Sequence, residues 1–220
     1  LKVINALEQA LVIEPNNIDY MSDIGEFYRQ AGKTEQSLSI LTKAVELAPE
    51  RENVWINYGA VLQQLDQQTE AKTAYHHALK INPNKPELLN NLGAMAKSAG
   101  ELQESVEYFT KAIKLTPDFA EAQCNLGNAL QELGQLEQSV KCYEQALTIK
   151  PDYAEAHYNL GNILKELGQL EEAVKRYEQA LAIKPDYAEA HNNLGVTLKE
   201  LNQLDAAVKS YEQALAIKPD

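Results

Sequence analysis

Apolar residues recur at three- and four-residue spacing in two bursts, split by a short polar break, and this pair of bursts repeats along the chain. Between Ala154 and Tyr187 the first burst is Ala156, Leu160, Ile163, Leu164 and Leu167; the second is Leu170, Ala173, Val174, Tyr177, Ala180 and Leu181. Such spacing lines one face of an α-helix, so each unit is predicted to be two antiparallel helices, A and B. Pro15, Pro49, Pro83, Pro117, Pro151, Pro185 and Pro219 keep a constant interval of 34 residues, the length of a stacked helical hairpin. With each proline set at position 32, full units run 18–51, 52–85, 86–119, 120–153, 154–187 and 188–220. Residues 1–17 form the second helix and linker of a truncated unit, with Val3, Leu7 and Ala10 where Ala173, Tyr177 and Ala180 fall later. The predicted class is all-α, a solenoid in one elongated body whose core runs along its axis.

The turns are encoded locally. Between helices A and B, position 15 is Gly32, Asp66, Gly100, Gly134, Gly168 or Asn202. Those residue types best tolerate a left-handed backbone, which predicts a helix-ending αL cap. Asp-x-x-Glu at Asp118 to Glu121, Asp152 to Glu155 and Asp186 to Glu189 predicts a capping box that starts the next helix A.

A second glycine, at position 8 inside helix A, costs about 1 kcal/mol against alanine. It recurs as Gly25, Gly59, Gly93, Gly127, Gly161 and Gly195, each followed twelve places later by Ser37, Ala71, Ser105, Ser139, Ala173 or Ala207. Helices A and B are therefore expected to approach at a small-small contact. The adjacent space is filled by the large residue at position 24: Leu41, Tyr75, Phe109, Tyr143, Tyr177 or Tyr211.

Composition narrows the partners. A formal charge of −12 and a pI near 4.8, with acid and base mixed in every unit, disfavour nucleic acid and anionic membrane. No apolar run approaches the roughly 20 residues of a membrane span, and the start, LKVINALEQALVIEP, lacks a signal-peptide layout. Cys124 and Cys142 form no CxxC pair, which suits a reducing compartment and a cytoplasmic location. The chain starts within a unit and shows no polar cap after Leu215 and Ile217. Uncapped ends predict a possible homo-oligomer.

The order Leu-Gly, small residue, aromatic, Ala and Pro at positions 7, 8, 20, 24, 27 and 32 resembles the tetratricopeptide repeat over essentially the whole chain. Leu41 in place of the aromatic and Asp66 in place of the loop glycine depart from it, and Trp55 alone supplies the tryptophan often found at position 4. The resemblance implies a right-handed superhelix with helix A on the concave side and helix B on the convex side. The phrases NLGN, ELGQLEEAV and YEQALAIKPDYAEAHYNLG are most similar to the repeat arm of O-linked N-acetylglucosamine transferases and their bacterial relatives. That similarity implies an inner ladder of asparagines that grips substrate polypeptide. It also offers an alternative, that the segment is the targeting arm of a larger glycosyltransferase.

No catalytic constellation is visible, so the segment itself is not expected to be an enzyme. His76, His77, His157 and His191 have no metal-ligand spacing, and neither GxGxxG nor a P-loop appears. No metal and no cofactor are expected. His157 and His191 share position 4 with Trp55 and Leu89, which points to packing, and Cys124 lacks a basic activator.

Polar repetition lies on helix A instead. Position 6 is Asn57, Asn91, Asn125, Asn159 and Asn193, with Asp23 in the first unit, and position 9 adds Asn128 and Asn162 on the same face. An asparagine amide both donates to a peptide carbonyl and accepts from a peptide N–H, so a row of them can hold a backbone whatever its side chains. The same residues could instead bond a neighbouring helix. Positions 2 and 5 lack the basic residues that a clamp for a terminal carboxylate needs. The expected partner is a protein or extended peptide held on the concave face.

Overall fold

The computed structural model describes residues 2–219, with side chains from Ile4 onward, so the packing of Val3 lies outside the described residues. These form thirteen α-helices and no strand. Helix α1 (Lys2–Ile13) is followed by six A/B pairs. The A helices are α2 (Ile18–Gln30), α4 (Glu52–Gln64), α6 (Pro86–Ser98), α8 (Ala120–Glu132), α10 (Ala154–Glu166) and α12 (Ala188–Glu200). The B helices are α3 (Thr34–Leu47), α5 (Gln68–Ile81), α7 (Leu102–Leu115), α9 (Leu136–Ile149), α11 (Leu170–Ile183) and α13 (Leu204–Ile217). The chain divides into two compact units, residues 1–95 and 96–220.

Position 15 behaves as its composition requires. Gly32, Gly100, Gly134 and Gly168 have φ between 72° and 77°, and Asp66 and Asn202 enter the same region at 60° and 59°. After α10, Gly168 N–H donates to Lys165 O at 2.9 Å and Gln169 N–H to Leu164 O at 2.8 Å, which satisfies two carbonyls at the helix end.

The predicted capping box does not form. Helices α8, α10 and α12 have Phe119, Tyr153 and Tyr187 as N-caps, with no side-chain cap bond. The aspartates stand one residue too early, in the Pro-Asp turn. Where position 34 is Asn17 a side chain does cap the helix, accepting from Tyr20 N–H at 3.2 Å. The aromatic N-caps pack instead: Tyr187 lies 4.8 Å from the Tyr158 ring, and Lys150 and Lys184 sit over Tyr153 and Tyr187.

The glycine at position 8 makes room chiefly for the ring at position 24. A Cβ on Gly161 would lie 2.7 Å from Tyr177 Cε1, and one on Gly127 2.8 Å from Tyr143 Cε1. The small residue contributes differently from expectation where it is serine. Ser139 Oγ donates to Gly127 O at 2.7 Å and Ser37 Oγ to Gly25 O at 2.6 Å, tying helix B to helix A through the glycine's own carbonyl. Around this contact the second unit has a core of Tyr143, Leu160, Ile163, Leu164, Tyr177 and their neighbours. The first unit has a smaller cluster of Met21, Ala44, Val45 and Val54.

Candidate polypeptide-binding surface

Within each unit, consecutive A helices touch: α2 with α4 in the first, α8 with α10 and α10 with α12 in the second. A side chain at position 6 of one A helix therefore reaches the A helix before it. Asn159 Nδ2 donates to Asn128 Oδ1 at 2.9 Å, and Asn193 Nδ2 donates to Asn162 Oδ1 at 2.8 Å and to Tyr158 Oη at 3.1 Å. In the first unit Asn57 Nδ2 donates to Ser22 Oγ at 3.0 Å and Ser22 O at 3.3 Å. Asn91 is exposed and Asn125 half-buried.

The amides at positions 6 and 9 are thus partners across the repeat boundary. For Asn57, Asn159 and Asn193 the amino group is a strut to the preceding helix. These struts use the amino groups of Asn159 and Asn193 and the carbonyls of Asn128 and Asn162, leaving over the other half of each amide. Each pair retains one acceptor and one donor.

Profiles of the TPR repeat match residues 95–134, 127–168 and 161–201, and those of the tetratricopeptide repeat match 18–51, 52–85 and 188–220. The chain belongs to the tetratricopeptide repeat family. No curated protein matches it at a significant level. Among solved structures it is similar to MamA, with 26% identity and a TM-score of 0.69 over 76% of this chain and 92% of that one. Pseudomonas aeruginosa pilF has 20% identity and a TM-score of 0.81 over 92% of each chain. YrrB, described as a TPR protein with an unusual peptide-binding site, has 24% identity and a TM-score of 0.67 over 82% of this chain and 93% of that one. The all-α repeat solenoid read from the sequence is the fold these relatives share.

In these tetratricopeptide repeats the position-4 rings are fasteners. Trp55 Nε1–H donates to Pro49 O at 2.8 Å, and Nε2 of His157 and His191 lies 3.0 and 2.9 Å from the carbonyls of Pro151 and Pro185. Each ring N–H thereby pins helix A to the turn before it. His157 is buried, and burial lowers its pKa despite the favourable carbonyl bond, with nearby Arg176 acting in the same direction. The neutral imidazole is the form the fold holds. Cys124 and Cys142 are buried and unpaired, and loss of hydration raises their thiols to about 12 and about 11. Neither is a poised nucleophile.

Among the described residues no group of three or more His, Cys, Asp or Glu could hold a metal, and no helix is long and apolar enough to cross a membrane. The polar residues that sequence reasoning missed are Tyr143 and Tyr177, read there as volume alone. Tyr143 Oη–H donates to Asn128 Oδ1 at 2.6 Å and Tyr177 Oη–H to Asn162 Oδ1 at 2.8 Å. A signal was present. Asparagine at position 9 occurs only where position 24 is tyrosine, although Tyr75 and Tyr211 accompany Ala60 and Val196, so the asparagine and not the tyrosine carries the signal.

Proposed function

We propose that this repeat protein is an interaction scaffold whose row of A helices binds extended polypeptide. The observation that carries the reading is the pairing of Asn128 with Asn159 and of Asn162 with Asn193, which leaves a donor and an acceptor for a ligand at each junction. A peptide main chain carries the complementary pair on every residue except proline. Packed helices stand about 8–10 Å apart and three extended residues span about 10 Å, so one junction would serve every third residue of the ligand. YrrB, on the same fold, carries a peptide-binding site by its description.

The test is enrichment of short unstructured peptides from a displayed library, comparing the native chain with Asn125→Ala, Asn159→Ala and Asn193→Ala combined. Circular dichroism on the variant checks that helicity is kept. Loss of enrichment in the folded variant supports the reading, and enrichment equal to the native chain sinks it.

A second reading, self-association, is favoured by α13. There Leu204, Val208 and Leu215 are 55%, 54% and 59% exposed, whereas the equivalent Leu136, Val140 and Leu147 of α9 pack on the core. Sedimentation over a range of concentrations, with and without Val208→Lys and Leu215→Lys, tests it. A native chain that stays monomeric throughout removes the idea.

A further inference from the structure

Position 9 distinguishes the repeats. It holds Glu26, Ala60 and Ala94 in the first three, Asn128 and Asn162 in the fourth and fifth, and Val196 in the sixth. The two asparagines stand in the repeats whose position-24 tyrosine donates to them. Tyr143 and Tyr177 are fully buried, seated against Gly127 and Gly161 so closely that a Cβ would collide with the ring. Burial also pushes both phenols above their ordinary pKa, so each remains an O–H donor. The hydroxyl is delivered to a fixed point.

At that point the carbonyl of Asn128 receives Tyr143 Oη–H and Asn159 Nδ2, and the carbonyl of Asn162 receives Tyr177 Oη–H and Asn193 Nδ2. Two donors occupy both lone pairs of a carbonyl oxygen. Neither amide can rotate without breaking both bonds, so its own amino group is held in one direction, away from those donors. Each junction then carries an oriented donor, on Asn128 or Asn162, beside an oriented acceptor, on Asn159 or Asn193.

Charge specifies the ligand further. One turn before each position-6 asparagine, Glu121, Glu155 and Glu189 are exposed. Lys218 approaches Glu189 to 3.9 Å, and at the other end of α8 Glu132 pairs with Lys97 at 3.0 Å. Lys150 and Lys184, over the N-cap rings, share that end with Lys218, while exposed Asp118, Asp152 and Asp186 join the glutamates there. The flank nearer the helix N-termini thus keeps an acidic balance that complements a cationic chain and repels an acidic one.

We propose that Asn128 with Asn159, and Asn162 with Asn193, are two donor–acceptor rungs for the main chain of an extended basic segment, with Tyr143 and Tyr177 as positioning residues. This rests on the polypeptide-binding reading above and adds which repeats bind, through which atoms, and what charge the partner carries. Neutral side chains of the partner are read loosely, because the rungs address its backbone.

Fluorescence anisotropy of three labelled peptides tests it: one of alternating lysine and serine, the same sequence N-methylated at alternate residues, and one of alternating glutamate and serine. The native chain is expected to bind the lysine peptide, to bind its N-methylated form about tenfold more weakly because backbone donors are lost, and to bind the glutamate peptide weakest. Tyr143→Phe with Tyr177→Phe keeps the buried rings and their packing. In that variant the preference for the unmethylated peptide is expected to fall toward unity, a ratio that a general loss of stability does not move.

Asn128→Ala with Asn162→Ala provides a second variant with the same expectation. Native chain that binds no peptide overturns the polypeptide-binding reading itself. Binding that ignores N-methylation overturns the rungs alone, a preference that survives Tyr→Phe overturns the positioning role, and equal binding of the glutamate peptide overturns the assignment of charge.

Discussion

At Gly161 the backbone gives up helix propensity for space. Alanine there would gain about 1 kcal/mol of propensity, but its Cβ would sit 2.7 Å from the buried ring of Tyr177. Overpacking a tight core costs about 1–3 kcal/mol, and this ring cannot retreat without disturbing its bond to Asn162. Gly161→Ala is expected to lower stability by up to about 2 kcal/mol, read as a lower urea midpoint at unchanged slope. His157 gives a second residue-scale prediction. Burial lowers its pKa, so below the unfolded value of about 6.5 the unfolded chain binds the proton more readily. Its contribution to stability is complete above that pH and is lost as the pH falls toward the lowered folded value. Between neutral pH and about pH 5, the native chain should lose more stability than His157→Gln, and equal losses would refute the assignment. Neither glycine nor histidine was obscure in the sequence, since position 8 is invariant in these units and position 4 carries a ring in three of them. The tyrosine hydroxyls were obscure, because periodicity reports volume and burial but not where a phenol's one polar atom ends.

Helix ends show which local signals suffice. The αL residue at position 15 was legible because a positive φ admits few residue types, and Gly, Asp and Asn are the ones present. Capping was misjudged because Asp-x-x-Glu has the right composition at the wrong offset. With the aromatic at the N-cap, the aspartate can only occupy the turn. The same distinction predicts mutational signs. Asn202 and Asp66 sit at φ near 60° and lack glycine's freedom, so Asn202→Gly is expected to raise stability by up to about 1 kcal/mol. Gly168→Ala, at φ 75° with open space around the missing Cβ, is expected to lower it by about 1 kcal/mol through backbone strain alone. Thermal melts of the two variants should move in opposite directions, and shifts of the same sign would remove the backbone explanation.

In the molecule as a whole, cohesion passes between neighbours. Within the second unit α8, α10 and α12 each contact their own B helix, and α8 and α10 also contact the next A helix, so stability there is a sum of repeat terms and junction terms. The amide struts belong to the junction terms: Asn159 joins α10 to α8, and Asn193 joins α12 to α10. Duplication made the repeat legible from one dimension, whereas these struts depend on two side chains from different repeats meeting, which no single unit's sequence contains. A local defect should therefore spread by adjacency. In Gly161→Ala, amide hydrogen exchange is expected to accelerate in α10 and α11, then by a smaller factor in α8, α9 and α12, with α2 and α3 unchanged. Such a gradient follows from nearest-neighbour coupling with fraying of individual repeats. If instead the rates in α2 and α3 rise by the same factor as those in α10, the chain unfolds as one cooperative body and the junctions are stronger than the hairpins they join. Combining Gly161→Ala with Asn159→Ala separates the two terms, because weakening the strut between α8 and α10 should confine the acceleration more sharply to α10 and α11.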